Sequence, residues 1–367
     1  MKNPGSMSRL LFIGVFLPIL FSMSGGASQS QANGCLVGKA SPNWRFGITA
    51  PFDTAGYNLA ALKVGGFLDW SASTNPTLPA GMDHVRVLRI SDAAYPSTLA
   101  SLPGWVASFP GAVWLVGNEP DVGNQDGITA EVYADRYYQI AVTIRTIDHT
   151  AQIGFGTVVV SPLRIRYLAR AYDRLKVLAG SAETASGLID IWSVHAFILN
   201  ETQGWGVFLP VGFENDGADA ITITNFEDTY SISIFSERII AFRAWLAQIG
   251  QRDKPVWITE YGSLFPPIDN PSGAPPEKVS DQDTAAFMVA TFDFLLKARD
   301  PNTGMPTDGQ RLVQRWFWYS LNELRYQYGG SLYDPEHGKA ITAVGQAFIQ
   351  YTSRLPVCYL YLPQVLH

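Results

Sequence analysis

Eight short apolar runs punctuate the chain, and the stretches between them return to helical spacing. That alternation constrains the fold more than any single motif. The runs are Arg45–Ala50, Gly66–Trp70, Val85–Ile90, Val113–Val116, Gln152–Val160, Leu188–His195, Val256–Glu260 and Leu312–Tyr319. Runs of this length, bounded by turn residues, suit strands buried on both faces. After Thr129, the residues Tyr133, Tyr137, Ile140, Ala141 and Ile144 share one helical face. Ser161-Pro162 and Ser280 are further helix starts, and Ser231–Ile249 is amphipathic. The helix after Ser161 is expected to bury Ile165, Leu168, Tyr172 and Leu175 and to turn Arg164, Arg166, Arg170 and Arg174 to water. Tyr57–Val64 suits only a short helix, and Thr74–Gly81 is too turn-rich for one. Strands alternating with helices make a parallel sheet with right-handed crossovers. Eight such units close it. The predicted fold is α/β, a (β/α)8 TIM barrel forming a single domain over residues 42–354.

Two of the eight runs end alike. Val113–Val116 is followed by Gly117, Asn118, Glu119 and Pro120. Gly117 ends the strand and Pro120 stops helix or sheet from continuing, so an amide and a carboxyl arrive side by side at the strand's C-terminal edge. Val256–Glu260 leads straight into Tyr261 and Gly262. In a parallel barrel that edge carries the chemistry. A loop glutamate more often caps a helix or pairs with an arginine; here two such glutamates stand at corresponding edges.

Asn-Glu-Pro after the fourth strand and Thr-Glu-Tyr-Gly at the seventh resemble the acid/base and nucleophile motifs of clan A glycoside hydrolases. The resemblance covers roughly residues 44–354. It implies retaining hydrolysis of a β-linked glucan, mannan or related glycan, with Glu119 as general acid/base and Glu260 as nucleophile. It implies Asn118 on the sugar 2-hydroxyl, His195 touching the sugar or the nucleophile, and Trp318 as an aromatic floor. Tyr261, His195 or Arg89 would help keep Glu260 ionised. Trp70, at the end of the second run, is either core or a platform beneath a sugar ring. Arg89 either holds a catalytic carboxylate or pairs with Asp92, the pairing being favoured. The long loop Ile198–Asp228, with Trp205, Phe208 and Phe213, is expected to wall the cleft. Asn322-Glu323 echoes Asn118-Glu119 without the proline and reads as a loop carboxylate.

The competing reading is a barrel that binds or remodels carbohydrate without cleaving it, against which stand the two glutamates. A Ser-His-Asp esterase is excluded by the lack of a GxSxG elbow. With 26 Lys and Arg against 32 Asp and Glu and no basic stripe, nucleic acid is not an expected partner. No second His lies at ligand spacing from His195, so neither metal nor cofactor is expected. The carbohydrate substrate is the expected partner, bound by a monomer.

Lys2 and Arg9 precede the apolar run Leu10–Met23, and Ala27 follows a small-residue stretch. Residues 1–27 therefore read as a signal peptide, 28–41 as a linker, and the product as secreted, with no membrane span after cleavage. Residues 355–367 form an apolar tail. Cys35 and Cys358, the only cysteines, flank a barrel whose first and last strands are neighbours. A disulfide between them is the expectation, two free buried thiols the alternative. Asn200-Glu201-Thr202 is a glycosylation sequon.

Overall fold

Eight parallel strands close on themselves. The computed structural model describes residues 43–202, 206–267, 277–326 and 328–355. In chain order the strands are β1 (Phe46–Thr49), β2 (Gly66–Asp69), β3 (Asp83–Leu88), β4 (Val113–Val116), β5 (Gln152–Val159), β6 (Ile191–His195), β7 (Val256–Tyr261) and β8 (Arg315–Trp318). Each pairs in parallel with the next, and β8 pairs with β1 through Phe46–Trp316, Gly47–Phe317 and Ile48–Trp318. The chain is a (β/α)8 barrel.

Helices follow β3 to β8: α1 (Tyr95–Ser108), α2 (Ala130–Ile147), α3 (Pro162–Ala179) with the short α4 (Ala182–Leu188), α5 (Ile232–Gln248), α6 (Asp281–Lys297) and α7 (Ala343–Ser353). Thr129, Ser161, Ser231, Ser280 and Thr342 each accept a first-turn backbone N–H, the role that fixes these starts. The first two units are irregular. A single 3-10 turn, Leu59–Leu62, joins β1 to β2, and no helix joins β2 to β3. Two elements had no clear sequence signal: α4, and the small antiparallel pair β9 (Tyr333–Asp334) and β10 (Ala340–Ile341).

Strand alternation creates two cores. Leu68, Val85, Val87, Val113, Leu115, Ile191, Trp257 and Phe317 fill the barrel interior. Trp114, Val116, Trp192, Ile258, Tyr261, Trp316 and Trp318 point outward against the helices. The lower end is plugged by Arg315. It bonds Asp83 Oδ2 at 3.1 Å and the Gly65 carbonyl at 2.5 Å, and lies over Trp44 and Trp257, 4.9 Å from each ring centre. A Cβ on Gly66 would meet that guanidinium at 2.4 Å. Burial pushes its pKa down to about 10, so it stays charged. With Arg315 filling the lower end, the barrel interior opens at its upper, C-terminal mouth.

Regular alternation fails at that mouth. Pairing shifts register between Gly156 and Val158, between Val194 and His195, and between Ile258 and Tyr261. Ile258 and Tyr261, three residues apart, both face outward, which an unbroken strand cannot do. Each shift re-aims the residues beside it.

Residues 1–42, the tail from residue 356, Trp205, Cys35 and Cys358 lie outside the described residues. No helix among those described is long and apolar enough to cross a membrane.

Candidate active site

The turn after β4 is built to present one carboxyl. Gly117 takes φ +88°, and Glu119 itself takes φ +42°, a conformation that costs a non-glycine residue roughly 1–3 kcal/mol. Several bonds hold it there. The Glu119 N–H donates to the Thr157 carbonyl at 3.0 Å, and the Asn118 N–H to buried Asp126 at 2.8 Å. Asp126 also accepts from the Ile90 N–H and from Arg89 Nε, at 3.1 and 2.7 Å. The turn is thereby tied to the ends of β3 and β5.

Glu260 arrives from β7, paired in register with His195 of β6. His195 is fully enclosed. Its Nδ1 lies 3.0 Å from Glu119 Oε1 and its Nε2 lies 3.4 Å from Glu260 Oε1. One imidazole spans the gap, so the two Oε1 atoms are no more than about 9 Å apart, a bound that spans both the retaining spacing of about 5–5.5 Å and the wider inverting one. Both glutamates are buried, at 8% and 6% exposure.

Burial is the largest influence on Glu260 and raises its pKa. His195 opposes that, the Glu119 charge adds to it, and Arg89 and the Trp70 N–H oppose it; the result is about 7. For His195, burial pulls down, but Glu260, Glu119 and Asp121 together outweigh it and hold the pKa above the usual histidine value. Glu260 and His195 thus both keep their protons to higher pH than the free side chains do.

Glu119 and Glu260, with His195 behind them, line a cleft of about 380 Å³ at the barrel mouth, walled by Phe52, Trp70, Arg89, Phe197, Tyr319 and Tyr328. A larger hollow of about 570 Å³ shares Glu323 and Tyr328 with it, but neither Glu119 nor Glu260 borders that space. Trp70 stands in the cleft wall and donates its indole N–H to Asn118 Oδ1 at 2.7 Å; the Asn118 amide donates to Gln125 at 3.2 Å. No group of three or more metal-binding side chains occurs among the described residues.

Several sequence expectations are corrected here. Trp318 is fully buried between β8 and the helices, its ring edge-on to Tyr261 at 5.3 Å and its N–H on the Gly330 carbonyl at 2.8 Å. It is not a cleft floor. Tyr261 shares that outer layer, against Phe235, and cannot assist Glu260 by contact. The aromatic lining comes instead from Tyr319, whose hydroxyl donates to Glu323 at 2.7 Å. Glu323 is a loop carboxylate, as read, but it borders the cleft and also takes the Arg325 and Tyr326 N–H groups. Arg89 pairs with Asp126 and not with Asp92, which belongs to Arg136 at 2.5 Å.

The basic face proposed for α3 is broken at Arg164. This guanidinium has no exposure; it bonds Asp121 at 2.6 Å and also pairs with Glu201. Leu168, Tyr172 and Leu175 are buried as expected and Ile165 is half-buried, while the inner face of α3 also takes in Leu163, Arg164, Tyr167 and Ala171. Glu201 is anchored there, and Asn200 beside it is buried at 5% with its Oδ1 on the Ile223 N–H. The sequon therefore offers no accessible amide. Phe213 packs on Tyr167, so the described part of the loop after β6 is tied to α3 and leaves the cleft wall to Phe197.

No family model and no curated protein matches the chain. Solved structures do. A family GH128 (subgroup I) endo-β-1,3-glucanase from Amycolatopsis mediterranei, in complex with laminarihexaose, is similar with a TM-score of 0.53 and 17% identity, over 83% of this chain and 98% of that one. A subgroup II endo-β-1,3-glucanase from Sorangium cellulosum gives 0.53 and 15%, over 86% and 100%. A subgroup III curdlan-specific exo-β-1,3-glucanase from Blastomyces gilchristii, in complex with glucose, gives 0.52 and 16%, over 84% and 98%. At these identities the likeness is one of fold.

Proposed function

We propose that this chain is a secreted retaining glycoside hydrolase acting on a β-linked glucan, with β-1,3-glucan the first candidate. The observation that carries the reading is one histidine between two buried glutamates at the open end of a closed barrel. Cleaving a glycosidic bond needs a proton for the leaving oxygen and negative charge beside an oxocarbenium-like transition state; two carboxyls across one cleft supply both. The likeness to β-1,3-glucanases of the same fold supports the choice of glucan. The apolar N-terminal run supports export of residues 28–367.

In this mechanism Glu119 is the acid/base and Glu260 the nucleophile. Glu119 protonates the leaving oxygen, Glu260 attacks the anomeric carbon, and water assisted by Glu119 then releases the sugar. The reaction needs Glu260 ionised, yet burial holds its proton up to about 7. His195 lies between the two carboxyls, hydrogen-bonded to Glu119, and its charge favours the ionised Glu260 that the reaction needs. Arg89, nearby, favours the same charge on Glu260. Asn118, held by Trp70 and Gln125, bonds the sugar 2-hydroxyl in this reading, and Tyr319, Trp70 and Phe52 offer faces for sugar rings.

The test is to incubate the purified protein with curdlan, laminarin, cellulose, mixed-linkage glucan and mannan and size the products. Release of oligosaccharides from one β-glucan, lost in Glu260→Ala, supports the reading. Binding without release would favour a carbohydrate-binding barrel, and cleavage only of mannan would correct the substrate.

A further inference from the structure

The geometry points to Thr157 as a positioning residue for Glu119. The inference rests on the acid/base role given to Glu119 above. Thr157 lies at the register shift in β5, is 1% exposed, and does not border the cleft. Its φ is +59°, next to Gly156 at +122°. A β-branched residue in that region is an outlier, because its branched Cβ crowds the following carbonyl. Glycine would hold this backbone with less strain, so something other than backbone preference must account for a threonine.

The turn that carries Glu119 shows what the threonine does. The Thr157 carbonyl accepts the Glu119 N–H at 3.0 Å. The Thr157 hydroxyl lies 2.8 Å from the Gly117 carbonyl and 2.6 Å from that of Gly156; its one proton serves one at a time. Thr157 therefore holds the turn on both sides of Asn118, with its backbone on one side and its side chain on the other. From behind, the Tyr133 hydroxyl donates to the Val116 carbonyl at 3.2 Å and accepts the Gly156 N–H at 2.7 Å, which fixes the bulge against β4. No larger residue can replace Gly156, since a Cβ there would sit 2.2 Å from the Ser193 carbonyl. The bulge is locked in place, and its lock point is the bond that sets the left-handed Glu119. The Cα–Cβ direction of Glu119, and with it the contact to His195, follows from that bond together with the hydroxyl's hold on the Gly117 carbonyl, and it is the second that needs a threonine.

The experiment compares Thr157→Gly with Thr157→Ser. The glycine variant removes the hydroxyl and suits the backbone, so it is expected to fold with an unchanged or raised Tm. Its kcat/KM on unactivated laminari-oligosaccharides should fall about 100-fold, the size expected for a slightly misplaced catalytic group. With a dinitrophenyl glycoside, whose leaving group departs without a proton, kcat/KM should not change. Thr157→Ser keeps the hydroxyl and should restore most of the loss. An equal fall on both substrates, no fall, or no rescue by serine would overturn the proposal. A second readout is independent of the reaction: in a crystal structure of Thr157→Gly, Glu119 should have left His195. If the 3.0 Å contact is intact, the proposal fails even if wild-type protein cleaves glucans. If wild-type protein cleaves none, the glycosidase reading fails and this structure alone judges the positioning role. Should the glycine variant be unstable, Thr157→Ala takes its place in both measurements.

Discussion

Glu119 Oε1 lies 3.0 Å from His195 Nδ1, which leaves the imidazole's other nitrogen to face the second glutamate. Between the two carboxyls the buried imidazole is charged more readily than one in water, and its charge in turn favours the ionised form of Glu260 against the pull of burial. Glu260 and His195 therefore titrate together, and the first two expectations below perturb that pair.

Replacing His195 by phenylalanine keeps a ring of similar size and removes the charge. His195 lowers the pKa of Glu260, so without it Glu260 ionises only at higher pH. The acid limb of the kcat/KM profile should move upward, and the maximum should fall by about 100-fold, the lower end for a lost proton-transfer partner. A profile that keeps its acid limb would reduce His195 to packing.

Glu260 also has a consequence for stability. Its folded pKa is raised from 4.5 to about 7, so the folded chain holds a proton that the unfolded chain releases. Stability from that proton is complete below about 4.5 and is lost as pH rises through 7. Above 7 the cost is about 3 kcal/mol. Glu260→Gln carries no such cost. It should match wild type in unfolding free energy at pH 4 and exceed it at pH 8, as measured by urea denaturation. His195 acts with the same sign, its stabilisation fading as pH rises through its raised value, and because Glu260 is the first cause of that rise the glutamine variant loses part of it as well. A difference that does not vary with pH would sink this account.

Trp318 and Tyr319 should separate stability from turnover. Trp318 fills the layer between β8 and the helices, so Trp318→Ala should cost about 3–5 kcal/mol, while Trp318→Phe should leave kcat/KM within a few-fold of wild type. Tyr319→Ala removes a cleft wall and the partner of Glu323, so turnover should fall with little change in Tm. Thermal melts and kinetics on the same preparations decide it; the reverse pattern would restore Trp318 as the sugar platform.

The Trp318 result shows where sequence reading stops. Strand existence, helix caps and the two glutamate motifs follow from local rules: apolar runs, a hydroxyl before a helix, a Gly or Pro where a strand ends. Side-chain direction at the barrel mouth does not, because a register shift is a property of two strands. The shifts at Gly156, His195 and Tyr261 reverse alternation on β5, β6 and β7; β8 keeps it, so Trp318 faces outward like Trp316, and the expectation took the wrong one of two neighbouring aromatics. Arg164 was missed for a related reason. An arginine among arginines on a helix suggests a wet face, and only the fold brings Asp121 and Glu201 to it. Arg89 found Asp126 instead of Asp92 because the turn after β4 folds back over β3. Thr157 had no local signal at all, since its conformation is imposed by the bulge.

The roles of the two glutamates are separable by product stereochemistry. Glu260→Ala removes the nucleophile, so hydrolysis should stop with every substrate. The space left can admit azide, which attacks the anomeric carbon directly and gives a glycosyl azide of inverted configuration. Glu119→Ala acts differently. An activated aryl glycoside needs no proton on its leaving group, so the glycosyl-enzyme still forms on Glu260. Its breakdown is slow because water has lost its base, and the intermediate should accumulate as a burst of aryl alcohol. Azide needs no base; it should accelerate this second step and give a product of retained configuration. Proton NMR of the anomeric centre reads both outcomes from the same two reactions. If the configurations come out exchanged, Glu119 is the nucleophile and Glu260, with its raised pKa, the acid. If neither variant loses activity, the chemistry is not in this cleft.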